Sequence, residues 1–227
     1  MYAIAIDGPS SSGKSSMASK IAEKLGILHK NTGRLYRAVG LYAFQNGYFN
    51  NLDKNGKVIA DKKEVDDIIK NARISVEFID KKQHTFLNGD DVTDLLHTPI
   101  ISDYSSRVSV IPDIRNYMVE IQREIASKNN VVMEGRDITS HVLPNAKYKF
   151  FVTASAEVRA ERRLNEMLEK GLNCTYEEIL EDLLQRDNRD MTREYCPLIV
   201  VPDAIVLDTT YSTLDEMVDK ALSYIKE

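Results

Sequence analysis

The stretch AIAIDGPSSSGKSSMASKIAEKLG, residues 3–26, predicts a strand, a tight turn and a helix in direct succession. Gly8, Gly13, Lys14 and Ser15 within it match the pattern G-x-x-x-x-G-K-[ST]. Glycines let the backbone N–H groups of such a turn point inward around phosphate oxygens, and the helix N-terminus adds the positive end of its dipole. The turn is therefore predicted to bind a nucleoside triphosphate.

The residues of this phosphate loop have separate expected tasks. Lys14 reaches the β- and γ-phosphates of ATP, and the Ser15 hydroxyl is the predicted ligand of Mg²⁺, the expected cofactor. The predicted ATP-binding residues are Gly8, Pro9, Ser10, Ser11, Ser12, Gly13, Lys14, Ser15 and Ser16. The structural alternative is a serine-rich flexible turn. A serine nucleophile is disfavoured, because no G-x-S-x-G elbow is present and none of the four histidines lies in a triad context.

Composition limits the class of protein. The 227 residues are 43% hydrophobic and 29% charged, which suits one α/β domain over residues 1–227. No apolar run approaches the roughly 20 residues that span a bilayer, and the chain enters its first strand without a signal sequence, so a cytoplasmic protein is expected. Cys174 and Cys196 are too few for a zinc site on their own. The formal net charge of −5 disfavours a nucleic-acid polymer and favours a small phosphate ligand.

Apolar strands alternate with helical patterns along the chain, which predicts a parallel sheet covered by helices. The predicted strands are residues 3–6, 27–29, 131–133, 148–152 and 204–207, and the predicted helices are residues 14–25, 33–45, 113–127, 156–169, 176–190 and 214–226. Thr175 with Glu178, and Thr213 with Glu216, predict capping boxes at two helix starts. ISVEFID and HTFLNGDDV alternate apolar and polar residues around a charged turn at residues 80–83, which predicts a small antiparallel insertion.

Arginines concentrate at particular places in the second half of the chain. EGRD directly follows the third predicted strand, so Arg136 and Asp137 lie at the carboxyl end of the sheet, where ligands bind in open α/β folds. Two predicted helical segments each carry further arginines along one face. EVRAERR carries Arg159, Arg162 and Arg163, and QRDNRDMTR carries Arg186, Arg189 and Arg193 together with Asp190. Each segment alone is typical of a solvated face. Together with a phosphate loop, they favour stabilisation of phosphoryl transfer.

The segments IDGPSSSGKSS, NTGRLYR, SSRVSVIPDIR, MEGRDI, AERR and QRDNRDMTR resemble those of the bacterial cytidylate kinases in order and spacing, over essentially the whole chain. The resemblance implies a P-loop nucleoside monophosphate kinase fold with a five-stranded parallel sheet of order 2-3-1-4-5. It also implies a nucleotide-binding insertion, at about residues 73–92, and a short arginine-bearing helical lid, at about residues 156–170. The implied reaction transfers the γ-phosphoryl group of ATP to CMP or dCMP, in a monomer.

The resemblance also implies site residues. The phosphate of CMP is expected near Ser10, Arg37, Arg136 and Arg193. The cytosine edge is expected near Ser106, Arg115 and Asp137, with Tyr36 beside the base. The sugar is expected near Thr32, Arg186 and Asp190. The expected catalytic side chains are cationic: Lys14, Arg136, Arg159, Arg162, Arg163, Arg189 and Arg193. No general base is assigned, because a phosphate with a second pKa of about 6 is already largely dianionic at neutral pH.

Four positions depart from the usual family wording. Asn31 and Glu134 each stand where aspartate is common, and Thr139-Ser140 replaces Gly-Thr after GRDI. Two rival functions stay open. One is a kinase for UMP, AMP or shikimate, and the other is a nucleotide-dependent switch or binding module, against which stands the lack of an N-K-x-D sequence.

Overall fold

The computed structural model describes residues 1–54, 58–79 and 82–225. The chain divides into two compact units, which we call the core unit (Met1–His29 with Asn129–Glu227) and the inserted unit (Lys30–Lys128). The elements in chain order are β1 (Ala3–Asp7), α1 (Lys14–Leu25), β2 (Leu28–Asn31), α2 (Thr32–Gln45), α3 (Lys62–Asn71), β3 (Ile74–Ile79), β4 (Lys82–Leu87), β5 (Asp90–Asp91), α4 (Pro99–Ser109), α5 (Pro112–Lys128), β6 (Val131–Gly135), β7 (Tyr148–Thr153), α6 (Ala156–Glu169), α7 (Tyr176–Thr192), β8 (Ile205–Asp208) and α8 (Leu214–Tyr224). A 3₁₀ helix covers Thr93–His97 and a π-helix covers Ile138–Val142.

The main sheet has the order β2-β6-β1-β7-β8. The registers of β1 with β6, β1 with β7 and β7 with β8 are all parallel. Counted over these five strands along the chain, the order is 2-3-1-4-5, which confirms the predicted fold class. The predicted strands agree with the observed ones to within two residues at each end. The central strands β6, β1 and β7 are apolar runs that the sheet buries, whereas the edge strands β2 and β8 are only partly buried.

The core unit is stabilised by apolar side chains from the central strands and two helices. Ile4 and Ile6 of β1 are fully buried, as are Ile21 of α1 and Val218 of α8, and they belong to one cluster. Burial of each such side chain contributes roughly 1.5–3 kcal/mol. The capping boxes predicted at the starts of α7 and α8 are both present, so these helices begin where the sequence indicated.

Gly8 allows the turn after β1 to approach β7 closely. A Cβ atom at this position would lie 2.0 Å from the backbone oxygen of Val152, and the residue has φ +151°. A side chain cannot be accommodated at that distance without a shift of the backbone. Glycine therefore fixes where the phosphate loop leaves the sheet.

The inserted unit has its own core and a small antiparallel sheet. β3 pairs with β4, and β4 pairs with β5, as the alternating pattern predicted; residues 80 and 81 of the predicted turn lie outside the described residues. Helix α2 packs against α4 at Gly40, where a Cβ atom would meet the Ser105 backbone nitrogen at 2.8 Å. Leu35 and Ile114 lie in the buried cluster beneath these helices.

Two helices of the inserted unit were missing from the sequence-based prediction. Asp61 caps α3 by accepting a hydrogen bond from the Lys63 N–H at 2.8 Å, and Thr98 caps α4 ahead of Pro99. Both starts carry ordinary N-cap residues. The predicted helix over residues 214–226 corresponds to α8, and residue 226 lies outside the described residues. Within the described parts of the chain, no helix is both long and apolar enough to cross a membrane.

Candidate active site

The phosphate loop joins β1 to α1 in the core unit, and Lys14 is its charged residue. Lys14 is 6% exposed, and its ammonium group donates a hydrogen bond to the Pro9 carbonyl at 2.8 Å. Burial first, and then the positive charge of Arg136, hold the pKa of Lys14 well below its usual range. Phosphate groups bring the negative charge that would reverse this shift, so the loop is suited to an anion.

Ser15 faces an acidic side chain from the neighbouring strand. Its hydroxyl donates a hydrogen bond to Oε2 of Glu134 at 2.7 Å, and Oε1 of Glu134 lies 3.0 Å from Nε2 of His29. Burial raises the pKa of Glu134, but the hydrogen bond from His29 and the charge of Lys14 outweigh it, so the pKa lies below its ordinary value. The carboxylate is therefore ionised at neutral pH. His29 was not singled out from the sequence.

Asp7 ends β1 and ties it to the segment after β6. Its carboxylate accepts hydrogen bonds from the Ile138 N–H at 2.9 Å, the Thr139 N–H at 2.7 Å and the Thr139 hydroxyl at 2.6 Å. Burial, opposed by the hydrogen bonds from Thr139, raises the pKa of Asp7 to about 6. Thr139 stands where glycine is usual in the family, and its hydroxyl makes a hydrogen bond to Asp7 that a glycine could not make. This network holds the start of the π-helix next to Arg136 and Asp137.

Asp190 lies close to several of the predicted arginines of the core unit. It accepts a hydrogen bond from Nε of Arg136 at 2.9 Å, and Arg193 lies 3.7 Å away. Burial raises the pKa of Asp190, but Arg136, Arg186 and Arg193 outweigh burial and lower it overall. The charges of Arg136, Arg186 and Asp190 also act on Lys14. The structure thus brings these predicted residues together beside the phosphate loop.

Arg159 of the predicted lid is buried and has several partners. Its guanidinium lies 2.6 Å from Asp187 of α7 and donates to the carbonyls of Ser10 at 3.3 Å and Ala154 at 3.0 Å. Arg159 is 5% exposed and Asp187 is 7% exposed. The side chain therefore links α6 to the phosphate loop instead of extending into solvent. The sequence placed Asp187 in a predicted helix without indicating this pairing.

The other predicted catalytic arginines of α6 and α7 have different surroundings. Arg162 donates to the Thr209 hydroxyl at 2.8 Å and the Thr209 carbonyl at 2.7 Å, and the Thr209 hydroxyl donates to the Ser12 carbonyl at 3.0 Å. Arg163 is half-buried and pairs with Glu166 on the same helix at 2.8 Å. Arg189 is exposed on α7. Arg162 thus reaches the loop through Thr209, a residue that the sequence did not indicate.

The inserted unit holds a second group of predicted residues, on α2 and α4. Arg37 donates to the Leu96 carbonyl at 2.8 Å and to the Ser102 hydroxyl at 3.2 Å. Ser106, one turn after Ser102, donates to the Ser102 carbonyl at 3.4 Å. Arg37 and Ser106 therefore share Ser102 as a neighbour.

Arg115, on α5, lies against Tyr36. It is 1% exposed, donates to the Ser109 carbonyl at 2.8 Å, and its guanidinium carbon lies 5.3 Å from the centre of the Tyr36 ring. A cation over an aromatic ring is attracted to its electron-rich face. Thr32, 3% exposed, begins α2 one turn before Tyr36. The structure thus pairs two of the four residues predicted near the base.

The donor set near Ser15 suits Mg²⁺. Mg²⁺ prefers oxygen ligands, keeps several waters and usually needs only one or two protein ligands beside substrate phosphates. The Ser15 hydroxyl and the ionised Glu134 carboxylate are oxygen groups of this kind. Among the residues that the structure describes, no cluster of three or more His, Cys, Asp or Glu side chains could hold a metal. A cation shared with ATP phosphates therefore fits the site.

A phosphate loop between β1 and α1 of a 2-3-1-4-5 parallel sheet, with arginines beside it, defines a P-loop kinase. Two solved structures show the same fold. Shikimate kinase from Bacteroides thetaiotaomicron matches with a TM-score of 0.50 and 10% identity, covering 98% of this chain and 97% of that one. An uncharacterized protein from Eubacterium ventriosum matches with a TM-score of 0.52 and 15% identity, covering 99% and 98%.

The chain belongs to the cytidylate kinase family. The family model, described as cytidylate kinase, matches residues 4–227. The cytidylate kinase of Caldicellulosiruptor bescii is 42% identical over 96% of this chain and 93% of that protein, and that of Thermotoga maritima is 38% identical over 100% and 97%. Family membership makes the chain an enzyme of the nucleoside monophosphate kinase class, as the resemblance implied.

Proposed function

We propose that this protein transfers the γ-phosphoryl group of ATP to CMP or dCMP, giving ADP and the pyrimidine nucleoside diphosphate. The observation that carries the proposal is that Asp190 holds Arg136, at 2.9 Å, and Arg193, at 3.7 Å, in the same core unit as the phosphate loop and its buried Lys14. Phosphoryl transfer develops negative charge on the moving group, and fixed cations around it stabilise the transition state.

The proposed roles follow the chemistry of each side chain. Lys14 and Arg136 neutralise phosphate charge, and Arg193 assists in binding the acceptor phosphate. Arg162, through Thr209, and Arg159 hold the backbone of the phosphate loop in place. Ser15 is the proposed protein ligand of Mg²⁺, which supplies charge neutralisation on the ATP phosphates. No residue acts as a general base, because the dianionic acceptor needs positioning more than deprotonation.

Recognition of the base is assigned to polar groups that match cytosine. Cytosine offers an amine donor together with acceptors at its ring nitrogen and carbonyl, which a carboxylate, a guanidinium and a hydroxyl can match. Asp137, Arg115 and Ser106 are the proposed groups, with Tyr36 beside the base. Asp190 and Arg186 are proposed for the sugar, as is Thr32. A cytoplasmic location stays a prediction from the sequence, and a monomeric state stays one from the family resemblance.

A coupled assay of ADP formation tests the proposal. Wild-type protein with ATP and Mg²⁺ is given CMP, dCMP, UMP, AMP or shikimate in turn, and a blank without acceptor measures ATP hydrolysis. Rapid ADP release with CMP or dCMP, and little with the others, is the expected result. Release that prefers another acceptor would assign the protein to that substrate, and release equal to the blank would favour a nucleotide-dependent switch or binding module.

A further inference from the structure

We propose that His29 is a positioning residue of the phosphate loop, which holds the Glu134 carboxylate in the orientation that accepts the Ser15 hydroxyl proton. The inference rests on the proposed function, since it concerns the same Mg²⁺·ATP site. His29 ends the first segment of the core unit, and Glu134 lies on β6 in the second, 105 positions later. The pairing is therefore a product of the fold and not of local sequence.

The two hydrogen bonds share one acceptor, the Glu134 carboxylate. A carboxylate only accepts, so both of its neighbours must donate. Nε2 of His29, 3.0 Å from Oε1, must carry a proton whether or not the ring is charged. The Ser15 hydroxyl, 2.7 Å from Oε2, gives its only proton to the carboxylate. The lone pairs of Ser15 then remain available to a cation.

The Glu134 side chain has several rotatable bonds, and each hydrogen bond to its carboxylate restricts the directions in which that carboxylate can point. Glu134 is 2% exposed, so water cannot readily replace a lost partner at Oε1. His29, with 21% of its side chain exposed, places its Nε2 atom 3.0 Å from Oε1 of Glu134. The histidine thus limits the orientations that the carboxylate can adopt beside Ser15.

The test compares His29→Leu with His29→Gln, whose amide nitrogen can replace the Nε2 donor. The measurement is the affinity for ATP by titration calorimetry without CMP, once with Mg²⁺ and once with EDTA. Loss of one hydrogen bond to a charged group predicts that the Kd of Mg²⁺·ATP rises at least fivefold in His29→Leu. Affinity for ATP in EDTA should change by less than twofold, and His29→Gln should restore most of the Mg²⁺-dependent affinity.

Two controls separate positioning from general damage. His84→Leu removes a histidine–carboxylate pair of similar length, His84 with Asp91 at 2.7 Å on the inserted unit, and should leave Mg²⁺·ATP affinity unchanged. In a Glu134→Gln background, His29→Leu should have little further effect, because the two residues act through one contact.

Four results would overturn the inference: unchanged Mg²⁺·ATP affinity in His29→Leu, an equal loss in EDTA, no rescue by His29→Gln, or additive losses in the double variant. The binding assay contains no acceptor, so its outcome is independent of whether CMP is the substrate. Failure of wild type to phosphorylate CMP would contradict the proposed function alone. A normal wild-type reaction with unaltered binding in His29→Leu would contradict the role of His29 alone.

Discussion

The pair formed by Arg159 and Asp187 gives a prediction about what holds α6 and α7 to the phosphate loop. Asp187→Ala removes the carboxylate 2.6 Å from a guanidinium that is 5% exposed. The remaining carbonyl partners of Arg159, on Ser10 and Ala154, are neutral and cannot balance its charge. The variant therefore leaves a buried cation without its counter-charge.

The expected cost is large because the charge cannot return to water. Removing one partner of a buried ion pair costs about 3–5 kcal/mol. For a chain of this size, each kcal/mol lowers the melting temperature by about 2–4 °C, so the expected decrease is roughly 6–20 °C. Replacing both members by apolar residues, as in Arg159→Met with Asp187→Leu, removes the stranded charge and should recover much of the loss.

The measurement is thermal unfolding by scanning calorimetry, with Arg163→Ala as the matched control. Arg163 and Glu166 also form an arginine–carboxylate pair involving α6, but their side chains are 34% and 45% exposed. Such exposed pairs contribute about 0–1 kcal/mol, so the control should lose no more than about 4 °C. A decrease for Asp187→Ala no larger than that of the control would refute the buried-pair argument.

Three further predictions concern the reaction and its pH dependence. Lys14→Ala should lower kcat for CMP by about 10²-fold or more with an unchanged circular dichroism spectrum, because one transition-state donor is lost; near wild-type turnover would contradict the loop assignment. Asp137→Ala should lower kcat/KM for CMP far more than for UMP, since UMP presents a carbonyl where CMP presents an amine; equal losses would place base recognition elsewhere. Burial raises the pKa of Asp7 from 3.8 to about 6, so its stabilising contribution is complete below 3.8 and is lost as pH rises through 6. The free energy of unfolding of wild type, measured in urea relative to Asp7→Asn, should fall by about 1.4 kcal/mol from pH 5 to pH 7, and a pH-independent difference would refute this.

The parallel sheet was predictable because its signals are local. The three central strands are apolar runs that the sheet buries, and the G-x-x-x-x-G-K-[ST] pattern lies between the first strand and the first helix. The capping boxes at Thr175 and Thr213 are likewise complete within four residues. The strand order came from the resemblance, since local periodicity carries no information on which strands are neighbours.

The elements that escaped prediction lie in the inserted unit. Helix α3 has only Val65 and Ile68 buried among ten residues, so its apolar stripe is too short to stand out among charged neighbours. Helix α4 begins with an ordinary start signal, Thr98 as N-cap followed by Pro99. The prediction missed this signal because the segment before it has an alternating, strand-like pattern. Short amphipathic helices are stabilised mainly by packing, which the sequence does not display.

The side chains that support the site could be named only partly from the sequence. Arg136, Asp190 and Arg193 lie in segments whose composition pointed to phosphate chemistry, and they do lie together. Asp7 and His29 acquire their roles from partners more than 100 positions away, Thr139 and Glu134. Such contacts depend on which strand ends meet at the edge of the sheet, and no spacing within one segment reveals them.

The most direct measurement follows the phosphoryl group itself. Wild-type protein is incubated with Mg²⁺, CMP and ATP labelled with ³²P at the γ position, and the nucleotides are separated by anion-exchange chromatography. We expect the label to leave ATP and to appear in the β-phosphate of CDP, in amounts equal to the ADP formed. Label recovered as inorganic phosphate, with CMP unchanged, would contradict the claim that this protein is a CMP-phosphorylating kinase.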